Sequence, residues 1–468
     1  MKFSVIIPAY NQAEFLGDAI RSVLRQTYGQ FEVVVVNDAS TDRTAEVLAE
    51  FSDPRLRVVT HSQNGGLSAA RNTGIRETTG EVIALLDGDD LFCPEKLAEH
   101  VKFLQAHPEV GVSYNGRFEL NHSQPTIREM WRAPATCELG ALVMGFPFAP
   151  SDMVVRREWF SKVGLFDEEL RFYSEDLDIN CRLALAGCRF AGIDKPLNKR
   201  RYHSGRPLRV RERLEAAQSV LSRVFADPRC SPDVVAAQDA ARAAHYLAWA
   251  TYSFFQDDTA NGSEFLRKAI SLDPRFARNG ILKSLLHYCI ADGSRDHESD
   301  LKRIIDQFPE ELRSLGDGWQ DAAAEGYLRR AVTSAMWHRT EAAVKLFAKA
   351  RETGAHPDAW MVGYIATHLI NVEEMLGPEA AKAAIHDVEH VGRPYYAAMI
   401  REVKTSYFLN KSFRSYDKAR YREVIGGVGK AVINDLGCLR NRGLLSVAIR
   451  SALRMLTSPF RRVYVVAG

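Results

Sequence analysis

An uninterrupted apolar run that ends in a cluster of acids is the feature that most constrains this chain. Residues 82–86 (VIALL) are all apolar, and Asp87, Asp89 and Asp90 follow at once. Such a run predicts a strand that is buried on both faces, as in a parallel sheet. Ligands of open α/β sheets bind beyond the carboxyl ends of the strands. The acids therefore predict either a Mg²⁺ or Mn²⁺ site completed by phosphate oxygens, or a solvated acidic turn around Gly88.

The surrounding sequence predicts an α/β domain. Apolar β-rich runs alternate with amphipathic helical patterns, and these runs lie at residues 3–7, 31–36, 57–60, 82–86 and 110–114. The alternation predicts right-handed βαβ units and a mainly parallel central sheet. Asp38 follows the second strand as Asp87 follows the fourth, so both carboxylates are expected at one crevice. The segment Pro8-Ala9-Tyr10-Asn11 after the first strand lacks the glycines of a Rossmann dinucleotide-binding loop.

A serine and two acids, Ser174, Glu175 and Asp176, precede a further helical pattern. A serine cap followed by acids favours the start of a helix, because the hydroxyl satisfies a free backbone N–H and the helix dipole attracts anions. A helix start of this kind explains why Glu175 and Asp176 are acidic without giving either of them a catalytic role.

Six short motifs occur in order along the first part of the chain. They are residues 5–11 (VIIPAYN), 36–44 (VNDASTDRT), 64–74 (NGGLSAARNTG), 86–90 (LDGDD), 164–168 (GLFDE) and 175–182 (EDLDINCR). In composition and order they resemble the motifs of the family 2 inverting glycosyltransferases, which have the GT-A nucleotide-sugar-binding fold. The resemblance covers about residues 3–205. It implies an enzyme that moves a sugar from a nucleoside diphosphate sugar, expected to be UDP-linked, to an acceptor hydroxyl.

The resemblance implies a donor site made from the first four motifs. The residues implied in donor binding are Pro8, Ala9, Tyr10, Asn11, Asp38, Asn64, Arg71, Asn72 and Asp87. The first three line the nucleotide base, and Asp38 accepts a hydrogen bond from a uracil-type ring. Asn64, Arg71 and Asn72 lie near the ribose and the diphosphate.

The resemblance also implies a metal site and a general base. Asp87 and Asp89 form a D-x-D pair for Mn²⁺ or Mg²⁺, with Asp89 as the direct ligand. His203 approaches the metal or the diphosphate, or is a plain histidine at the sheet edge. Asp176 deprotonates the acceptor hydroxyl with the support of Glu175, because a sugar hydroxyl is a poor nucleophile without a base. The cation stabilises the nucleoside diphosphate as it leaves.

Changes in pattern predict three domains, at residues 1–210 (GT-A), 211–435 (all-α) and 436–468 (a basic amphipathic tail). Within the all-α region, Ala269 and Ile304 occupy similar places in two segments, 35 residues apart. This spacing is typical of tetratricopeptide-type helical hairpins. The helical domain is therefore predicted to contact a partner or position the acceptor, and simple support of the catalytic domain is the alternative.

Two basic segments follow the sheet-forming sequence. Residues 195–213 carry eight cations, which either meet an anionic acceptor such as a lipid-linked phosphate or form a solvated surface. The tail has six arginines and no acid. Its apolar side chains share one helical face and are Leu445, Ile449, Ala452, Leu453 and Leu456. This pattern predicts a helix on an anionic membrane surface, and a terminal helix docked on the helical domain is the alternative.

Composition indicates the cellular compartment of the protein and the classes of partner it can bind. Seven cysteines without a C-x-x-C pair favour a reducing compartment over a disulfide framework or a zinc site. The net charge of +2 provides no general attraction to nucleic acid. The start of the chain does not resemble a signal peptide, and no apolar run is long enough to span a membrane. These features predict a cytoplasmic protein, peripheral on the inner face of the membrane through its tail.

The processive members of the resembled family carry a Q-x-x-R-W pattern, which this sequence lacks. The chain is therefore expected to be a non-processive enzyme of cell-envelope or exopolysaccharide synthesis, with a glycan or lipid-linked acceptor. One alternative is a catalytically inactive scaffold in which the helices bind a partner. A nucleotidyltransferase is a second alternative, but it would require a glycine-rich signature loop that is absent.

Overall fold

The computed structural model describes residues 1–120, 127–145, 148–170, 173–201, 209–276, 281–282, 285–286, 289–290, 296–357, 359–417, 420–440 and 442–457. By compactness the chain divides into two units, Met1–Asp317 and Gly318–Gly468. The domain limits at 210 and 435 stay predictions from the sequence pattern.

In the described part of the first unit, nine strands form one mixed sheet. The strands are β1 (Phe3–Ala9), β2 (Phe31–Asn37), β3 (Leu56–Thr60), β4 (Val82–Leu85), β5 (Leu91–Phe92), β6 (Val110–Leu120), β7 (Ile127–Trp131), β8 (Met153–Arg156) and β9 (Arg189–Arg201). Their order is β3-β2-β1-β4-β8-β6-β9-β5, and β7 pairs with β6. Strands β1 to β4, β6 and β9 run in one direction, whereas β5, β7 and β8 run against them. The predicted mainly parallel sheet is confirmed.

Both faces of the central strands are buried. In β4, Val82 and Ala84 pack into one apolar cluster, and Ile83 and Leu85 into the other. Each of these four side chains is at most 1% exposed. Successive side chains of a strand point to opposite faces, so an unbroken apolar run fits a strand covered on both sides. The prediction that this strand is buried on both faces is confirmed.

Helices cover the two faces of the sheet and extend beyond it. The helices of the first unit are α1 (Leu16–Leu24), α2 (Thr44–Ala49), α3 (Leu67–Arg76), α4 (Lys96–Ala106), α5 (Leu139–Met144), α6 (Arg157–Val163), α7 (Glu175–Leu185), α8 (Val210–Ala226), α9 (Pro232–Ala236), α10 (Gln238–Phe255), α11 (Thr259–Leu272) and α12 (His297–Asp306). Helices α1 and α4 pack in one apolar cluster of the sheet, and α6, α7 and α8 pack in the other. Helix α8 contacts α7 and α10, so it joins the helical segment to the sheet domain.

The second unit is helical throughout its described residues. Its helices are α13 (Trp319–Met336), α14 (Thr340–Glu352), α15 (Ala359–Leu376), α16 (Pro378–Asp417), α17 (Tyr421–Asn434) and α18 (Arg442–Thr457). Helices that follow one another in sequence pack together, except α14 and α15, which both pack on others of the unit. Helix α16 contains Pro394 and departs from helical geometry at Tyr396, as expected where proline removes a backbone N–H. The all-α region is confirmed, and its kinship to tetratricopeptide repeats stays a prediction.

The last described helix has its predicted apolar face turned outward. Leu445 and Ile449 of α18 are 36% and 59% exposed, whereas Leu444 and Ser451 are buried. The side chains of Leu453 and Leu456, which were predicted for the same face, lie outside the described residues. Among the described helices, none has the length together with the hydropathy that crossing a bilayer requires.

Candidate active site

The acidic turn after β4 lies at the carboxyl edge of the sheet. Asp87 and Asp89 are half-buried and Asp90 is buried. The turn closes on itself through a bond from Asp90 N to the Asp87 carbonyl at 3.0 Å. Ser151, fully buried in the 3₁₀ turn Pro150–Asp152, accepts from Asp87 N at 3.1 Å. Its hydroxyl also bonds the Asp90 carboxylate. Ser151 thus fixes the turn at both ends.

A buried polar network holds Ser151 in place. The carboxylate of the next residue, Asp152, accepts from Arg117 at 2.7 Å and from Asn198 at 2.8 Å. The Lys96 ammonium donates to the Asp152 carbonyl at 3.3 Å, and burial lowers the pKa of Lys96 to about 7. Because buried polar groups are costly unless they are bonded, this network fixes the backbone that presents Ser151.

The end of β9 is tied to the same turn. Arg201 donates from its backbone N to Asp90 Oδ1 at 3.1 Å and from Nε to the Asp89 carbonyl at 2.9 Å. Its guanidinium also reaches Asp18 at 3.2 Å. His203, the predicted metal ligand, lies outside the described residues.

Gly88 lies against the end of a side chain rather than in a left-handed bend. A Cβ at this position would lie 1.9 Å from Gln12 Oε1. That oxygen is buried and has no hydrogen-bond partner in the described structure. Gln12 therefore covers the middle of the acidic turn, which the sequence motif gave no reason to expect.

The electrostatics of the turn fit a divalent cation. Burial raises the pKa of Asp87 above its usual value, and the neighbouring Asp89 and Glu175 carboxylates add to the rise. Burial raises the pKa of Asp90 well above its usual value, and repulsion from Asp89 and Asp87 adds to it. Carboxylate oxygens are the ligands that Mg²⁺ and Mn²⁺ prefer. The described residues contain no group of three or more acid, histidine or cysteine side chains arranged as a metal site, but a nucleotide's phosphates can complete a shell begun by one or two carboxylates.

Arg71 joins the acidic turn to the next candidate acid. It lies on α3 with 1% of its surface exposed. Its Nη2 donates to Asp87 Oδ1 at 2.8 Å and its Nη1 to Glu175 Oε1 at 2.6 Å. The guanidinium carbon lies 5.4 Å from the centre of the Phe166 ring. The position is that of an internal tie between two carboxylates, and the predicted donor contact of Arg71 stays a prediction.

Asp176 begins helix α7 beside this tie. Burial raises the pKa of Asp176 to about 7, repulsion from Glu175 adds to the rise, and Arg71 opposes it. Its Oδ1 accepts from Leu177 N at 2.8 Å. Ser174 makes no side-chain capping bond and has a left-handed backbone with φ of +64°. The predicted capping bond of the serine is therefore wrong, whereas both acids do lie in the first turn of the helix, where the helix dipole favours anions.

Asp38 anchors the loop between β3 and α3. Its Oδ1 accepts from Gly65 N at 2.8 Å and lies 2.7 Å from His61 Nδ1, and its Oδ2 accepts from Gly66 N at 2.8 Å. Gly66 has φ of +91°, which favours glycine. His61 continues to Thr73 Oγ1 at 2.9 Å. A carboxylate offers about four acceptor sites, and these three contacts leave one of them unused on a carboxylate that is 2% exposed.

The remaining predicted donor residues fall into two groups. Pro8 and Ala9 are buried at the end of β1, and Tyr10 is 48% exposed next to them. Asn11 Oδ1 accepts from Thr41 N at 2.8 Å and so fastens this segment to the loop after β2. A cavity of about 730 Å³ opens there, and of the predicted donor residues only Asn11 lines it.

The two other predicted asparagines face inside the protein. Asn72 is buried and bonds the Phe166 backbone through both its amide atoms, at 2.9 Å each, with Glu168 as a third partner at 2.8 Å. Asn64 donates to the Asp38 carbonyl at 3.2 Å. These contacts hold loops around the site, and donor contacts of the two asparagines stay predictions.

Backbone strain gathers at the same edge. Asn11, Ala39 and Ser174 all have left-handed φ values, +53°, +57° and +64°. Each directly follows or precedes a candidate site segment. Non-glycine residues persist in this conformation when the surrounding structure imposes it, as is common at functional sites.

The mainly parallel sheet, with acids at the end of β4 and a buried carboxylate at the end of β2, is of the GT-A type. The model of the family described as Glycosyl transferase family 2 matches residues 4–164. The putative glycosyltransferase EpsE of Bacillus subtilis is 31% identical over 208 residues, which cover 43% of this chain and 74% of EpsE. The chain belongs to glycosyl transferase family 2.

Other relatives match a smaller share of their own length. The uncharacterized glycosyltransferase EpsJ of Bacillus subtilis is 46% identical over 189 residues, covering 38% of this chain and 54% of EpsJ. An uncharacterized glycosyltransferase of Rickettsia conorii is 32% identical over 205 residues, covering 44% of this chain and 33% of that protein. The chain thus spans about a third to a half of these two. The solved structure of S. aureus TarS residues 1–349 in complex with UDP aligns with a TM-score of 0.41 at 21% identity, covering 73% of this chain and 92% of that one.

Proposed function

We propose that this protein is a metal-dependent inverting glycosyltransferase. It moves a sugar from a nucleoside diphosphate sugar, preferentially UDP-linked, to a hydroxyl of a glycan or lipid-linked acceptor in cell-envelope or exopolysaccharide synthesis. The observation that carries the proposal is the single cluster formed by the acidic turn, Arg71, Glu175 and Asp176 at the carboxyl edge of the sheet. Membership of glycosyl transferase family 2 supports the reaction class.

In the proposed reaction the acids have separate tasks. Asp87 and Asp89 would hold Mn²⁺ or Mg²⁺, with His203 as a proposed further ligand, and a bound cation would supply charge neutralisation for the leaving diphosphate. Asp38 receives a hydrogen bond from the base through its remaining acceptor site. Asp176 accepts the proton of the acceptor hydroxyl. Its pKa, raised to about 7, lies close to neutral pH, where a general base works best.

The first test separates chemistry from donor binding. Asp176→Asn is isosteric but cannot take the proton, so transfer should fall by about 10²–10⁴-fold while UDP and Mn²⁺ binding stays near the wild-type value. Asp178→Asn is the matched control. Asp178 lies on the same helix but bonds Arg182 at 2.8 Å and Arg223 at 3.1 Å, so its loss should lower stability and leave turnover per folded molecule intact. Near-normal turnover in the Asp176 variant would remove it as the base.

Donor identity is open to a direct screen. Thermal-shift measurements with nucleotide sugars and Mn²⁺ detect binding because any ligand of the folded state raises its stability. UDP-sugars are expected to give the largest shift, and the shift should need the cation. A nucleotide response without turnover on any acceptor would favour an inactive scaffold instead.

The tail is proposed to hold the protein on an anionic membrane surface. The exposed Leu445 and Ile449 supply apolar contact, and Arg450 beside them is exposed as well. Apolar side chains next to cations favour binding at anionic interfaces. The helical region between sheet and tail is proposed to position the acceptor, and one-sugar, non-processive transfer is proposed with it.

A further inference from the structure

One cation in the region of the candidate base has no acidic partner among the described residues. Arg213 lies on α8 and is half-buried. The described structure gives it no ion pair, and its buried Nε has no hydrogen-bond partner. The undescribed stretches 171–172 and 202–208, which precede it in sequence, contain no acid. A buried donor without a partner carries a desolvation cost that a ligand can relieve.

Five other cations of the same basic segment have acidic partners. They pair with acids, and the pairs are Lys195 with Glu99, Arg200 with Glu119, Arg201 with Asp18, Arg209 with Glu212 and Arg211 with Glu264. Arg211 lies two residues before Arg213 on the same helix, and its distance to Glu264 is 2.6 Å. Compared with Arg211 on the same helix, Arg213 is a charge that a ligand can pair.

Aromatic rings fix the orientation of this guanidinium. Its central carbon lies 3.6 Å from the centre of the Tyr173 ring and 5.7 Å from that of Trp249 on α10. A guanidinium on a ring face keeps its N–H groups in its own plane, where they can bind a phosphate or carboxylate in a bidentate manner. The rings also offer apolar surface of the kind on which sugar rings pack.

The location ties the cluster to the reacting edge of the site. Tyr173 precedes Asp176 by three residues, so their Cα atoms are within about 11 Å of each other. Ser174 between them has a left-handed backbone. Helix α8 is fastened to this region by Arg223, which bonds Asp167 at 2.9 Å and Asp178 at 3.1 Å. Arg213 is therefore presented by a fixed helix near the group proposed to activate the acceptor.

We infer that Arg213, Tyr173 and Trp249 form an acceptor subsite for a sugar that bears an anionic group, a phosphate or a carboxylate. The inference rests on the proposed function, because an acceptor is needed only if Asp176 activates a hydroxyl. It adds the chemical class of the acceptor and gives the first helices after the sheet domain a part in recognising it.

The test measures binding of simple probes to the full chain loaded with UDP and Mn²⁺. Glucose 6-phosphate, glucuronate and methyl α-glucoside are titrated and followed by ligand-observed NMR. The two anionic sugars should bind at least about tenfold more tightly than the neutral one. Arg213→Gln should abolish that preference, and Arg213→Lys should retain part of it, because a lysine keeps the charge without the planar fork. Arg211→Gln is the matched control and should keep the full preference.

The outcomes separate this inference from the proposed function. If the wild-type protein did not bind UDP and Mn²⁺, the proposed function itself would be overturned. Intact UDP–Mn²⁺ binding without a preference for anionic sugars, or with a preference that survives in Arg213→Gln, would overturn only the acceptor subsite. A parallel sedimentation with 3:1 phosphatidylcholine–phosphatidylglycerol vesicles distinguishes a lipid headgroup as the anion. If Arg213→Gln weakened vesicle binding and left glucose 6-phosphate affinity unchanged, the sugar subsite would be refuted.

Discussion

Replacing Arg71 with methionine tests whether the acidic turn and helix α7 are held by one buried cation. Arg71 makes two charge-assisted bonds, to Asp87 and Glu175, and the Glu175 side chain is only 6% exposed. Removing one partner of a buried ion pair leaves the other charge without compensation, at a cost of about 3–5 kcal/mol. The buried Nε has no partner, so its removal returns about 1 kcal/mol. Asp87 is 31% exposed and therefore partly solvated, so the loss of its bond to Arg71 adds little to the cost.

The expected net loss is about 2–4 kcal/mol in the free energy of unfolding, which leaves a folded protein of ordinary stability. Urea denaturation of the full chain, with hydrogen exchange of α3 and α7 to locate the change, measures it. Arg71 lowers the pKa of both Asp87 and Asp176, so these pKa values rise further in the variant. Neutral carboxyls need no cation, and the loss should therefore be largest above pH 7 and shrink as the pH falls.

The double variant Arg71→Met/Glu175→Gln is the control for this reasoning, because it removes the cation together with its most buried partner. Its loss in the free energy of unfolding should be smaller, by more than about 1 kcal/mol, than the sum of the losses in the two single variants. An additive result, or a loss below about 0.5 kcal/mol in Arg71→Met, would refute the internal tie. Loss of UDP affinity that the double variant does not restore would instead favour the donor contact predicted for Arg71.

Three further results are expected. The kcat/KM value should rise with pH through about 7, because burial raises the pKa of Asp176 and only its ionised form accepts a proton; a flat profile between pH 6 and 8 would contradict this. Ser151→Ala should lower the free energy of unfolding by about 1–2 kcal/mol and weaken Mn²⁺-dependent UDP binding, since the Asp87 N–H and Asp90 carboxylate lose a partner. Ile449→Glu should reduce sedimentation with anionic vesicles while Val344→Glu, at a 42% exposed position on α14, should not; equal partitioning would refute the membrane surface.

The fold was predictable because its signals are local and repeated. An apolar run such as 82–86 is compatible with few structures, chiefly a buried strand. The other apolar runs recur at a similar spacing and predict the same kind of strand. Where the strands end was less predictable. Strand β9 continues through Pro196 to Arg201 as one element, although a proline in the sequence argues against a continuous strand. Pairing with β6 on one side carries the strand across the proline, and no local pattern reveals such a neighbour.

The candidate site was predictable in its acids and not in its supports. Asp38 and Asp87 follow the carboxyl ends of strands, where the fold class places ligands, and Asp176 lies in the first turn of a helix. His61 and Ser151, by contrast, act through partners more than 20 residues away in sequence. A lone histidine or serine carries no spacing signal, so only the folded chain shows that one holds Asp38 and the other holds the acidic turn.

The shared guanidinium makes the two ends of the site electrostatically dependent on each other. Asp87 raises the pKa of Asp176, and Arg71 lowers it. The negative charge that invites a cation at the acidic turn is thus the same charge that weakens ionisation of the base. Neutralising Asp87 removes that repulsion and lowers the pKa of Asp176. If Asp87 holds a cation as proposed, the ionised form of Asp176 would be favoured, and the proposed base would become available when the proposed donor site is occupied.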